Sequence, residues 1–250
     1  MNKLYSILFA LLLIPALCVA EDKPAQVISD GWTMIPKADH GDEFEAALKA
    51  HLAYRAEKGD TRQWNVWRPV TGGALNRYTV RSCCDTWAEQ DSYRKWTQEN
   101  IGNHFNETVH PHVEKYMHNF GESDMENSHW GENTDASFVG VTMWEVKQGK
   151  GGQANRAITA MSNLAKEHDW PRNFSWSYPV GGSNRVMLVV PFSNYADMAP
   201  MDENFYQFAK KHLKEKELDK MFDDFNGSFS SSDYTIWRHD KELSMQPKAE

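Results

Sequence analysis

Trp67-Arg-Pro-Val-Thr-Gly-Gly-Ala-Leu-Asn-Arg-Tyr-Thr-Val80 and Trp176-Ser-Tyr-Pro-Val-Gly-Gly-Ser-Asn-Arg-Val-Met-Leu-Val189 read as two versions of one segment. Pro69-Val70 lies over Pro179-Val180, Gly72-Gly73 over Gly181-Gly182, and Asn76-Arg77 over Asn184-Arg185. In each version an aromatic, β-branched run enters a Gly-Gly turn and leaves into a second apolar run, which is the pattern of a β-hairpin. The correspondence extends outward in order. Upstream, Thr33-Met34 pairs with Thr142-Met143, Leu48 with Ile158, Tyr54 with Leu164 and Trp64 with Phe174. Downstream, Trp87-Ala88-Glu89 pairs with Tyr195-Ala196-Asp197, and Trp130 with Trp237. Ordered matches over roughly a hundred residues point to an internal repeat.

Each copy reads as β-α-β-β-α-β. In the second, Phe138 to Val146 is a strand, and Ala154, Ala157, Ile158, Met161, Leu164 and Ala165 recur at helical spacing on one face. Phe174 to Tyr178 alternates as a half-buried strand. Arg185 to Val190 is a near-continuous apolar strand covered on both sides and stopped by Pro191. One long helical region, Asn204 to Phe225, precedes a last strand at Tyr234 to Arg238. In the first copy the same reading gives a strand at Trp32 to Pro36 and a helix from Asp42 to Lys58. Strands follow at Arg62 to Arg68 and Asn76 to Cys84, then helices from Trp87 to Phe120 and a short strand near Ser128 to Trp130. The polar segment Gly131 to Asp135 is the natural boundary. The division is therefore 30–132 and 137–240, with a leader at 1–20 and a tail at 241–250 whose end, Gln246 to Glu250, is loose.

The aromatic-rich hairpin and the aromatic-Ala-acid step at Trp87-Ala88-Glu89 and Tyr195-Ala196-Asp197 resemble the dimeric α+β barrel superfamily of ferredoxin-like domains. That superfamily includes antibiotic-biosynthesis monooxygenases, haem-degrading monooxygenases and duplicated chlorite-dismutase-like haem proteins. The resemblance implies an α+β fold in which two tandem repeats form an intrachain barrel, with a pocket between each sheet and its helices.

Lys3, the apolar run Ile7 to Leu13 and the small residues before Glu21 form an export signal, with cleavage expected after Ala20. A lipobox at Cys18 is disfavoured by Leu17. The reading is a periplasmic or secreted protein with no integral membrane segment once the signal is cleaved, since nothing later approaches the roughly 20 apolar residues of a spanning helix. With 27 Lys and Arg against 35 Asp and Glu, the formal charge is −8. Such a surface repels phosphate backbones, so nucleic acid is not an expected partner. The remaining partners are a small-molecule ligand and, in assembly, a monomer or homodimer. Cys83 and Cys84 are adjacent and cannot staple distant segments. The plain expectation is one buried side chain and one quiet thiol, and the alternative is a bond between the two.

Five groups of residues are candidates for chemistry. Trp64, Trp67, Trp144, Trp176 and Tyr178 lie on strands and could wall a pocket for a flat organic ligand, or be plain core. His51 and His168 are candidate catalytic proton acceptors on the helical wall. His110, Glu114 and His118 would share one helical face and could hold a divalent metal, although Pro111 interrupts that face; solvated histidines are the alternative. His212 is a candidate axial haem ligand by position. The turn arginines Arg77 and Arg185 could clamp an anion, or merely follow hairpin chemistry. The leading expectation is a small-organic-ligand-binding protein acting, where it acts, as a cofactor-independent monooxygenase-like oxidoreductase. A haem or metal enzyme and a non-catalytic binding or assembly module are the alternatives.

Overall fold

The computed structural model describes residues 27–246 apart from 132, 133, 135 and 183. The expected leader, Cys18, most of the loose tail and part of the boundary segment lie outside the described residues. The elements are β1 (Val27–Pro36), α1 (Gly41–Glu57), β2 (Asn65–Pro69), β3 (Tyr78–Asp85), α2 (Trp87–Asn100), α3 (His104–Thr108) and β4 (Val113–His129). Then come β5 (Phe138–Val146), α4 (Gly151–Glu167), β6 (Phe174–Val180), β7 (Arg185–Phe192), α5 (Phe205–His212), α6 (Glu215–Gly227) and β8 (Phe229–Asp240).

The strands close into one barrel in the order β1-β3-β2-β8-β5-β7-β6-β4. Within each half the order is that of a ferredoxin-like sheet, β4-β1-β3-β2 and β8-β5-β7-β6. The halves join through β2–β8, where Trp67 lies opposite His239, and through β4–β6, where Glu122 lies opposite Tyr178. Closure removes the edges that two open sheets would expose.

Alternation along the strands decides what each wall faces. On β1, Met34 packs with Val66, Tyr78 and Val80 under α1, while Thr33 points the other way and shares a hydrogen bond with Thr79 at 2.9 Å. The outer face is covered because α1 sets Phe44, Leu48 and Leu52 at helical spacing, all 3% exposed or less. Burying each such side chain contributes about 1.5–3 kcal/mol. In the second half, Ala154, Ile158 and Ala165 of α4 cover Phe174, Trp176, Val186 and Phe229. Met161 and Leu164 meet Phe208, Leu218 and Met221 of α5 and α6. Glycine is required at 140, where an added Cβ would collide with the Tyr234 hydroxyl and approach Phe192 to 3.0 Å.

Four local expectations are corrected. The helix expected to continue to Phe120 ends at Asn100; a short α3 and a 3-10 turn at His110–His112 follow, and the chain then runs as the 17-residue strand β4. Pro111 lacks an N–H and halts helical growth, and nine successive pairs with β1, from Val27↔Ser123 to Ile35↔Lys115, take up the backbone groups instead. The long second helix breaks at Leu213–Lys214 into α5 and α6, and α5 has its own Asn204–Gln207 capping box. Pro191 does not stop β7, because it lies opposite Val139 beyond the last β6 partner, Val189, where a strand edge tolerates proline. Cys83 and Cys84 are not quiet thiols: their sulfurs are bonded to each other across a cis peptide bond, with Cys84 exposed.

Candidate functional site

The first half carries charge inside its helix-covered face. Asp30 falls in phase with Ile28 and Met34 on β1, so a carboxylate enters an apolar row and is 8% exposed. Its Oδ2 accepts a hydrogen bond from Arg62 Nη1 at 3.0 Å, and Arg62 Nε lies 2.9 Å from Asp85 Oδ2. Arg62 also donates to Gln90 Oε1 at 2.7 Å, and its guanidinium carbon sits 3.5 Å from the Tyr93 ring centroid. A planar cation with several donors can satisfy two carboxylates and a ring face at once. Beside it, Asp60 accepts from Arg55 Nε at 2.6 Å, from the Tyr93 hydroxyl at 2.8 Å and from Trp64 Nε1 at 3.2 Å. Burial pushes the Asp85 carboxyl upward against the opposing pull of Arg62, and raises the Tyr93 hydroxyl.

The outer end of this network is open. Strand pairing sets Trp32 opposite His118, and the two rings stack at 4.2 Å. His118 Nε2 is 2.9 Å from Asp30 Oδ1, Phe120 meets the imidazole edge-on at 4.7 Å, and Trp87 meets Phe120 at 5.2 Å. The His118 side chain is 31% exposed against 12% for Asp30. Nε2–H donates to the carboxylate, which leaves Nδ1 as the ring nitrogen without a protein partner among the described residues. An ordered imidazole base between two aromatic rings, backed by a buried carboxylate, can take a proton from a bound molecule.

The five aromatic wall candidates occupy three separate places. Trp64 is buried in the charge network; Trp67 stacks on His239 at 4.8 Å inside the barrel. Trp144 and Trp176 meet at 5.9 Å in the second half, while the Tyr178 hydroxyl donates to Asp124 at 3.3 Å. His51 is 4% exposed, its Nδ1 3.0 Å from that of His104, and burial, then Arg55 and His104, pull its pKa down to about 3. His168 stacks on His212 at 3.9 Å.

His110, Glu114 and His118 do not share a helical face. His110 lies in the 3-10 turn with Nδ1 3.4 Å from the Tyr116 hydroxyl, Glu114 is exposed on β4, and His118 is engaged by Asp30. Among the described residues no group of three or more His, Cys, Asp or Glu is arranged to hold a metal ion. Sequence reading singled out His118 for another purpose and missed Asp30, Arg62, Asp85 and Tyr93. The available signal was Asp30 itself, a charge in phase with Ile28, Trp32 and Met34.

Comparison with known proteins gives fold relatives only. No family model matches the chain, and no curated protein matches it. A proposed monooxygenase of Lactobacillus acidophilus NCFM superposes with a TM-score of 0.55 at 9% identity, covering 87% of this chain and 95% of that one. An anthrone oxidase-like protein gives 0.54 at 8% identity, with 89% and 95% covered. A mutant chlorite dismutase of Candidatus Nitrospira defluvii gives 0.50 at 9% identity, with 88% and 95% covered. The chain therefore has the dimeric α+β barrel fold, with both ferredoxin-like halves in one chain.

The resemblance to chlorite-dismutase-like proteins raises haem in the second half, and the residues there do not fit it. Trp144, Trp176, Phe225 and Phe229 fill the space between sheet and helices, with centroid separations of 4.9 to 6.3 Å. His212 turns its ring face to His168 and packs on Phe208 at 4.9 Å. No chemical step is assigned to haem.

Proposed function

We propose that this protein is exported, loses its leader after Ala20, and binds a small planar organic molecule against the Trp32–His118–Phe120 face. His118, oriented by Asp30, removes an acidic proton from that molecule, and the resulting carbanion or enolate reacts directly with dioxygen. The observation carrying this reading is the 2.9 Å His118–Asp30 hydrogen bond at the open, aromatic end of an otherwise buried charge network. Arg62 holds Asp30 in place at 3.0 Å, so the imidazolium that develops on His118 meets a fixed carboxylate. Fold likeness to a proposed monooxygenase and an anthrone oxidase-like protein supports the reaction class, though fold by itself is a weak argument for function.

Anthrone, a planar ketone with an acidic C–H, is the test substrate. It takes up one dioxygen and yields anthraquinone and water. The mature protein should consume anthrone and oxygen in equal amounts without added cofactor. His118→Gln should lower the rate about 10²–10⁴-fold, the usual worth of a positioned base. Asp30→Asn should lower it less, with KM little changed. Turnover equal in wild type and His118→Gln, or none in either, would remove the proposal.

A further inference from the structure

We propose that the interior of the barrel is a second binding site, distinct from the His118 face, which takes an aromatic carboxylate or similar flat organic anion between Arg77 and Arg81. Strand alternation places residues 77, 79 and 81 of the β3 arm on the inner wall: Thr79 bonds the inward Thr33, while Tyr78 and Val80 pack under α1. The row across this wall is Asn65, Arg81, Gly31 and Asn119, each opposite the next. The Asn119 amide atoms lie 3.7 and 3.8 Å from where a Gly31 Cβ would stand, so Asn119 also points inward. Glycine at 31 adds no side chain to this row, so the Asn119 amide lies over its backbone beside Arg81.

Arg81 stands on the inner wall opposite Asn65 and Gly31, and its side chain is half-buried rather than packed into core. Among the described residues it has no ion pair, hydrogen bond or ring contact, and burial works against its charge. Such a cation is costly unless something pairs with it. Arg77 stands with its guanidinium carbon 4.7 Å from the Trp237 ring centroid, and its buried Nε has no acceptor among the described residues. Trp67, stacked on His239, adds a second flat surface on the same wall. The rest of the lining includes Thr33 and Thr79 near the arginines, half-buried Met187 and Val189 opposite Met143 and Val141, and buried Val139 opposite Trp237. A barrel interior built for stability would be filled with tightly packed branched side chains. Two guanidinium groups without carboxylates and two indole faces instead match an anion carried on a ring.

The probe is 2-naphthoate, titrated by calorimetry into the mature full-length protein, with neutral 2-naphthamide as its uncharged counterpart. One equivalent of naphthoate should bind, and the amide should bind at least tenfold more weakly. Arg81→Gln and Arg77→Gln should each weaken naphthoate at least tenfold. Arg81→Gln should also melt no lower than wild type, because it removes an unpaired enclosed charge, so its lost binding cannot be put down to unfolding. His118→Gln should bind naphthoate as wild type does, which separates this site from the proposed reaction site. Equal binding of acid and amide, undiminished binding by Arg81→Gln, a lowered melting temperature in that variant, or loss of binding in His118→Gln would each overturn the proposal.

Discussion

Arg62→Leu should lose about 3–5 kcal/mol of unfolding free energy, the cost of breaking a buried ion network by removing one member. Arg62 holds Asp30 at 3.0 Å and Asp85 at 2.9 Å, and its own side chain is 4% exposed. Leucine supplies apolar volume, but it leaves two carboxylates facing each other in a poorly hydrated space. Those carboxylates must then stay charged without a partner or take up protons, and both routes weaken the fold near neutral pH. Arg62→Lys keeps one charge but loses the fork and the stack on Tyr93, so it should lie between the two. Adding Asp30→Asn to Arg62→Leu should restore part of the loss, since one orphan charge goes with it. Urea unfolding followed by far-UV circular dichroism measures all four proteins. A loss below about 1 kcal/mol in Arg62→Leu would place the pair with exposed salt bridges and deny the network its structural role.

The fold could be read from the sequence because hydrophobic period and turn chemistry are local and were written twice. Phe138 to Val146, the α4 face from Ala154 to Ala165 and the Gly-Gly hairpins all stand where their patterns put them. β4 was illegible for a different reason. Its residues 114–119 are exposed and show no alternation, so nothing local distinguishes strand from solvated helix, and only pairing with β1 decides. The candidate site fared worse still. His118 was noticed for its neighbours in sequence, but its partner Asp30, and Arg62 behind Asp30, are 88 and 56 residues away, reached only when β1, β4 and the end of α1 meet. Charge networks of this kind join residues that each look like ordinary surface in isolation.

His51 gives a pH dependence of stability that a variant can isolate. It is 4% exposed, and burial, Arg55 and His104 hold its pKa at about 3, well below the ordinary 6.5 of an imidazole. The folded protein therefore keeps this imidazole neutral where the unfolded chain would protonate it. As pH falls below about 6.5 the unfolded state binds more protons than the folded one, and stability declines by up to about 1.4 kcal/mol per pH unit from this group. The full contribution is present above pH 6.5, and it drains away until the folded state itself protonates near pH 3. Between pH 7 and pH 5 the wild type should lose about 2 kcal/mol more than His51→Gln, whose amide can still bond His104 but cannot titrate. Denaturant unfolding of both proteins at half-unit steps over that range measures the difference directly. Parallel stability curves would mean that His51 is protonated in the fold, and that the His51–His104 contact at 3.0 Å is held by an added proton rather than by complementary neutral tautomers.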